Sequence, residues 1–206
     1  MLTLPPHPFD YVYLSDALKQ YRYPRNKIQR LIEHNDIIRI KKGLYVPGQL
    51  QDVYIHKKTL ANLIYGPSYI SLDSALSYWG LIPERVEEIT SVTSKRNKLF
   101  TTPLGVFSYR YLSTSKFNTA VDLIVVEQAS FLMATKEKAI CDKLYFSQTL
   151  FTQVELIEYL EQDLRVDFDE ILSLRRTVLR ELKKRFNHAN VSLFIDWYLE
   201  HGNKER

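Results

Sequence analysis

The sequence predicts an α+β fold: an N-terminal winged helix-turn-helix, followed by a domain with a modest antiparallel sheet and a C-terminal helical cluster. Three observations support this. The first fifty residues alternate helical periodicity, a break, helical periodicity and a basic hairpin. From Ile89 the apolar period changes from helical to two. After Thr135 it returns to helical, with capping residues at each start.

Ser15 opens the first helical run, Leu14 to Tyr21, which ends at Arg22-Tyr23-Pro24. Pro24 starts the second helix, because a helix start tolerates its fixed φ and missing N–H. The wheel puts Ile28, Leu31, Ile32 and Asn35 inward and leaves Asn26, Lys27, Gln29, Arg30 and Glu33 outward. Two strands follow, Ile37 to Lys41 and Leu44 to Val46, joined by Lys42-Gly43.

Between Lys19 and Lys42 the cations are Lys19, Arg22, Arg25, Lys27, Arg30, Arg39, Lys41 and Lys42, opposed only by Glu33 and Asp36. Arginine pairs with guanine edges, asparagine and glutamine with adenine, and lysine with phosphates. The pattern therefore makes double-stranded DNA the expected partner. Arg25, Asn26, Lys27, Gln29 and Arg30 form the reading face; Arg39, Lys41 and Lys42 hold phosphates from the wing.

A boundary is expected near residue 50, after Pro47-Gly48, dividing the chain into 1–50 and 51–206. In the second part a helix spans Lys57 to Tyr65 and stops at Gly66-Pro67. Ser71 caps a helix from Leu72 to Trp79, with Gly80 at C′ and Pro83 beyond. Strands are expected at Ile89–Thr93, Lys98–Thr101 and Val106–Tyr111, and Val121–Val126 is apolar enough to be central. The sheet thus occupies about 85–130 and the helices about 135–201. Thr135 caps Lys136 to Phe146, and Thr152 with Glu155 and Asp167 with Glu170 give capping-box patterns. Helices follow near 153–161 and 169–186, and a last one, capped by Asn190, runs from Val191 to His201.

Composition narrows the function. The chain has 206 residues, 45% of them hydrophobic, and a formal charge of +4, so its basic character is local rather than global. Cys141 is the single cysteine, and a buried core role fits it best. No signal-peptide pattern and no apolar run of membrane-spanning length is present, so a soluble cytoplasmic protein is expected. The six glycines are dispersed, the five histidines lack metal-ligand spacing, and Ser113-x-x-Lys116 is only a fragment of a hydrolase motif. Asp163, Asp167, Asp169 and Glu170 sit at a helix start, where the dipole favours acids. No enzyme, cofactor or metal site is expected.

Four stretches go further: Ser68-Tyr-Ile-Ser-Leu-Asp-Ser-Ala-Leu-Ser-Tyr-Trp-Gly-Leu-Ile-Pro-Glu84, Thr90-Ser-Val-Thr-Ser-Lys-Arg96, Phe100-Thr-Thr-Pro-Leu-Gly-Val-Phe-Ser-Tyr-Arg110 and Ala134-Thr-Lys-Glu-Lys-Ala-Ile-Cys-Asp-Lys-Leu-Tyr145. In order and spacing they resemble the AbiEi antitoxin family of AbiE-type toxin–antitoxin systems. The final helices share only a general similarity.

The resemblance implies an autorepressor that binds inverted repeats at its own promoter and counteracts a nucleotidyltransferase toxin, directly or functionally. A monomer in solution with two copies on DNA is expected. The basic helix with Arg175, Arg176, Arg180, Lys183 and Lys184 is the preferred antitoxicity surface; Lys95, Arg96, Lys98 and Arg110 form a second. The alternative is a stand-alone winged-helix transcription factor whose second domain senses a ligand or dimerises.

Overall fold

The computed structural model describes residues 4–48, 56–126 and 129–202. The chain is a mixed α+β protein with a small three-stranded sheet and a larger six-stranded one. The boundary expected near residue 50 lies outside the described residues.

The first region comprises β1 (Phe9–Asp10), α1 (Tyr11–Ala17), α2 (Pro24–Glu33), β2 (Ile37–Lys41) and β3 (Leu44–Pro47). Its sheet is antiparallel in the order β1-β3-β2. The first helix starts earlier than its periodicity suggests. Asp10 caps it by accepting from Tyr13 N at 2.8 Å, so Ser15 lies inside the helix rather than at its start. Asn35 does not face inward: it is exposed, with φ +56°, and turns the chain out of α2. Gly43 supplies the positive φ of the hairpin turn. Gly48 packs so tightly on the Asn35 carbonyl that a Cβ would sit 1.6 Å from its oxygen.

The hairpin has two buried faces. Ile37 and Tyr45 join Phe9, Leu14, Leu18, Ile28 and Leu31 in a small core beneath the helices. Ile40, Leu44 and Val46 face the other way, into the core of the large sheet. The two regions therefore share packed apolar surface, and removing residues 1–50 would strip three buried side chains from the larger core.

The second region begins with α3 (Lys57–Ile64), β4 (Ser68–Ile70) and α4 (Leu72–Tyr78). Strands β5 (Ile89–Thr93), β6 (Lys98–Thr102) and β7 (Gly105–Tyr111), the short α5 (Thr114–Phe117), β8 (Val121–Val126) and β9 (Ala129–Ala134) follow. The sheet order is β6-β7-β5-β4-β9-β8. It is mixed rather than antiparallel, since β5 pairs β7 and β4 pairs β9 in parallel. Strand β8 is an edge, not a centre: it pairs β9, and Leu123 and Val125 are 62% and 69% exposed. Its apolar composition reflects strand propensity rather than burial on both faces. Short β4 meets β9 at Ile70↔Met133, and α3 completes the ladder there. Thr59 Oγ1 donates to the Ser130 carbonyl at 2.9 Å, and Leu132 N donates to Asn62 Oδ1 at 2.7 Å.

The helical third holds α6 (Lys136–Tyr145), α7 (Gln153–Glu158), a π-helical turn (Tyr159–Asp163), α8 (Phe168–Leu172), α9 (Arg176–Phe186) and α10 (Ala189–His201). Thr135, Thr152 and Asp167 cap α6, α7 and α8 through their side chains. The helix expected over 169–186 breaks at Ser173–Arg175, where Glu137 accepts from Arg175 N at 3.0 Å. Asn190 does not cap α10. It is buried one residue inside the helix, bonding Leu150 N, the Leu144 and Gln148 carbonyls and Ser147 Oγ.

A buried ion pair fastens the helices to the sheet. Lys138 and Asp142, one turn apart on α6, are fully buried, with Nζ 2.9 Å from Oδ1. Asp142 Oδ2 accepts from the Tyr69 hydroxyl at 2.9 Å and from Ser71 Oγ at 2.7 Å. Ser71 is thus drawn away from capping α4. Lys138 Nζ also donates to the Lys116 carbonyl at 2.7 Å and lies 4.3 Å from the Phe186 ring centroid. Burial and the Asp142 charge raise the Tyr69 pKa well above its ordinary value, keeping that hydroxyl a donor. Cys141 is buried beside this pair, and burial pushes its thiol pKa up.

Removing one partner of such a pair leaves the other charged and dry. Asp142→Ala is expected to lower stability by about 3–5 kcal/mol in equilibrium urea unfolding. A loss below about 1 kcal/mol would show that the pair does not fasten the sheet to the helices.

Candidate nucleic-acid interface

Helix α2 buries Ile28 and Leu31 and turns Arg25, Asn26, Gln29 and Arg30 to solvent. Lys27 is half-buried, its ammonium 5.7 Å from the Tyr21 ring centroid, and the Arg22 guanidinium lies 5.3 Å from that of Tyr23. Gln29 Nε2 donates to Glu33 Oε1 at 3.1 Å, so the one acid on this face is engaged along the helix.

The starts of α1 and α2 meet the hairpin turn at Tyr11. Tyr11 N donates to the Gly43 carbonyl at 3.2 Å. Arg25, and then Ser15, beside the phenol lower its pKa. Tyr11 thus brings Arg25 and the Lys42-Gly43 turn near one another, and exposed Tyr21 and Tyr23 lie against the cations Lys27 and Arg22. Sequence reasoning missed these tyrosines. For Tyr21 and Tyr23 the signal is the alternation Tyr21-Arg22-Tyr23-Pro24-Arg25, aromatic and cationic residues interleaved at the helix start; Tyr11 has none.

The wing residues divide. Arg39 and Lys42 are exposed. Lys41 is half-buried and donates to the Ile64 carbonyl at the end of α3, so it is not the free phosphate clamp its position suggests. Desolvation, and then repulsion from Lys95, lower its pKa. Among the described residues Arg22, Arg25, Lys27, Arg30, Arg39 and Lys42 have no ion-pair partner; Lys19 pairs with Asp16 at 3.0 Å.

The basic helix α9 is less free than its sequence suggests. Arg175 Nε and one terminal nitrogen each donate to Glu137 at 3.0 Å. Burial alone would raise the Glu137 pKa; the Arg175 hydrogen bonds outweigh it and bring the pKa below its ordinary value. Arg176 donates to the Leu199 and Gly202 carbonyls at 2.6 and 3.2 Å, closing the end of α10. Lys183 pairs with Asp196, and Arg185 lies 3.9 Å from Glu181. Of the five cations expected on this surface, Arg180 and Lys184 remain exposed without an ion-pair partner among the described residues.

Lys95, Arg96, Lys98 and Arg110 are all exposed, around the β5–β6 turn and on β7. Lys98 lies 5.9 Å from the Phe100 ring centroid, and the Arg110 guanidinium 5.1 Å from that of Phe146. A separate cleft of about 380 Å³ near the start of α3 is lined by His56, Lys57, Lys58, Tyr78, Arg85 and Glu87 among others. Among the described residues no group of three or more His, Cys, Asp or Glu side chains is placed to hold a metal ion. Nor is any helix there long and apolar enough to cross a membrane. No protein-family model matches the chain, and no curated protein matches it.

The two kinds of α9 cation should separate by mutation. Arg176→Ala removes two carbonyl partners and is expected to cost about 1–3 kcal/mol. Arg180→Ala and Lys184→Ala should stay within about 0.5 kcal/mol. Denaturant midpoints of the three variants check this; equal midpoints would remove Arg176 from the structural group.

Proposed function

We propose that this chain is a sequence-specific DNA-binding antitoxin of the AbiEi type, acting in the cytoplasm without catalysis of its own. In this reading its first region is a winged helix-turn-helix that represses its own promoter, and the rest of the chain counteracts a nucleotidyltransferase toxin. The observation carrying the DNA half is the outward face of α2, where Arg25, Asn26, Gln29 and Arg30 project and Glu33 is the sole acid. Further support comes from the order helix, helix, hairpin and from the three-stranded sheet β1-β3-β2 that backs them.

In such an interface Asn26, Gln29 and Arg30 read base edges in the major groove. Arg25, Lys27, Arg39 and Lys42 take phosphates. One such module buries too little surface for tight binding, so two copies occupy an inverted repeat. The antitoxin half rests on the resemblance of residues 68–145, with Arg180 and Lys184 as the α9 cations left for the toxin or its anionic substrate.

The DNA half is tested by mobility shift on duplex from upstream of the gene. Arg30→Ala is expected to cost about 1–3 kcal/mol on that duplex and much less on unrelated sequence. Lys42→Ala should weaken both equally and flatten the salt dependence. Parent-like binding by the Arg30→Ala, Lys42→Ala double variant rejects this face. The antitoxin half is tested by co-expression with the toxin encoded beside the gene. Arg180→Glu with Lys184→Glu is expected to abolish growth rescue at an unchanged melting temperature, and full rescue would exclude α9.

A further inference from the structure

The edge strand β8 carries ladder groups that β9 does not use, and its register shows which they are. Thr135 N donates to the Ala120 carbonyl at 3.0 Å, one step outside the Val121↔Ala134 pair. Bonded and non-bonded pairs alternate along an antiparallel ladder. Asp122, Ile124 and Val126 therefore bond β9, and Val121, Leu123 and Val125 turn their N–H and C=O groups away from it. The far side of β9 obeys the same alternation. There the Ser130 and Ala134 carbonyls accept from Thr59 and Trp79, and Leu132 N donates to Asn62. Among the described residues nothing bonds the outward groups of Val121, Leu123 and Val125.

The side chains alternate too. Ile124 and Val126 pack on the main core, whereas Leu123 and Val125 are exposed, with exposed Leu132 opposite Leu123. Edges of this kind are ordinarily blunted by lysine, proline or a bulge. The strand Val121-Asp-Leu-Ile-Val-Val126 has no lysine and no proline, and its register with β9 runs without a shift. Its one charge, Asp122, lies within electrostatic reach of Arg175, whose pKa is raised by Glu137 first and then by Asp122.

This edge complements itself. Its outward groups are spaced evenly about Leu123, so a two-fold axis there sets Val121 opposite the partner's Val125 and Leu123 opposite the partner's Leu123. Every outward N–H then meets an outward C=O. Exposed Leu123 and Val125 become cross-strand neighbours of their counterparts on one face. Charge favours the same occupant. Asp122 falls opposite the partner's Ile124, so no like charges meet, and a strongly charged foreign strand would find no matching charges along the edge.

We propose that β8 is a dimerisation edge, pairing antiparallel with β8 of a second copy about Leu123 and joining two six-stranded sheets into one. The proposal does not depend on the DNA reading. One strand edge covers less than the ~800 Å² per partner of a standard interface, so the dimer is weak and forms as concentration rises. The monomer expected from the sequence is its dilute form.

Sedimentation of the full chain from about 1 µM to about 1 mM tests this for the parent, Leu123→Lys, Leu123→Glu and an equimolar mixture of the two variants. The parent's mean mass is expected to rise toward twice that of the chain. Either variant alone opposes like charges at the axis and should stay monomeric; the mixture opposes unlike charges and should dimerise. In the parent, amide exchange at Val121, Leu123 and Val125 should slow severalfold over the same range, while Asp122 and Ile124 stay unchanged.

A parent that is monomeric at every concentration overturns the proposal and leaves the edge to a strand of another protein. A dimer that persists in both variants overturns it by placing the interface elsewhere. A mixture as monomeric as its components overturns the pairing about Leu123. The exchange measurement needs no variant, so it decides the case even where a variant fails to fold: no slowing at those three amides overturns the proposal.

Discussion

The β2–β3 hairpin is the constraint on which the rest of the molecule depends. Its residues alternate between two cores: Ile37 and Tyr45 under the helix pair, Ile40, Leu44 and Val46 against the large sheet. A strand buried on both faces has no room to shift register, because a one-residue slip would exchange the two sets. Helix α2 is thereby set in a fixed relation to the sheet. The same constraint decides the fate of Lys41, which the hairpin carries over the end of α3 instead of into solvent.

Charge is used in two distinct ways. Cations bound to fixed protein oxygens hold the architecture: buried Lys138 with Asp142, exposed Arg175 with buried Glu137, half-buried Lys143 with Asp73 at 2.6 Å, and half-buried Arg176 on the end of α10. Among the described residues, exposed cations without carboxylate partners gather on α2, the hairpin turn and the β5–β6 turn. The first set resists substitution and the second is free to meet an anion. The division follows from desolvation, since a cation is withdrawn from water only where fixed oxygens replace its hydration.

Much of this was legible in the sequence where the signal is local. The start of α2 at Pro24, the outward polar face with Arg25, Asn26, Gln29 and Arg30, the hairpin turn at Lys42-Gly43 and the Thr135 cap all follow from periodicity and end chemistry. What escaped is set by partners distant in the chain. Strand β4 is three residues long and β9 is rich in residues of weak strand propensity, so neither stands out without its neighbours. Ser71 and Asn190 have the chemistry of caps but spend it on Asp142 and on the α6–α7 connection. On α9 the positive charge was plain in the sequence; the carboxylates and carbonyls consuming it lie elsewhere in the chain.

The hairpin thus makes the first region and the large sheet one cooperative body. Native-state amide hydrogen exchange of the full chain, followed along rising sub-denaturing urea, tests it most directly. The slowest amides of β2 and β3 should open with the same free energy and urea dependence as those of β5 and β7. Exchange of the hairpin and α2 at a lower free energy, independent of the sheet, would contradict it and make the two regions separate units.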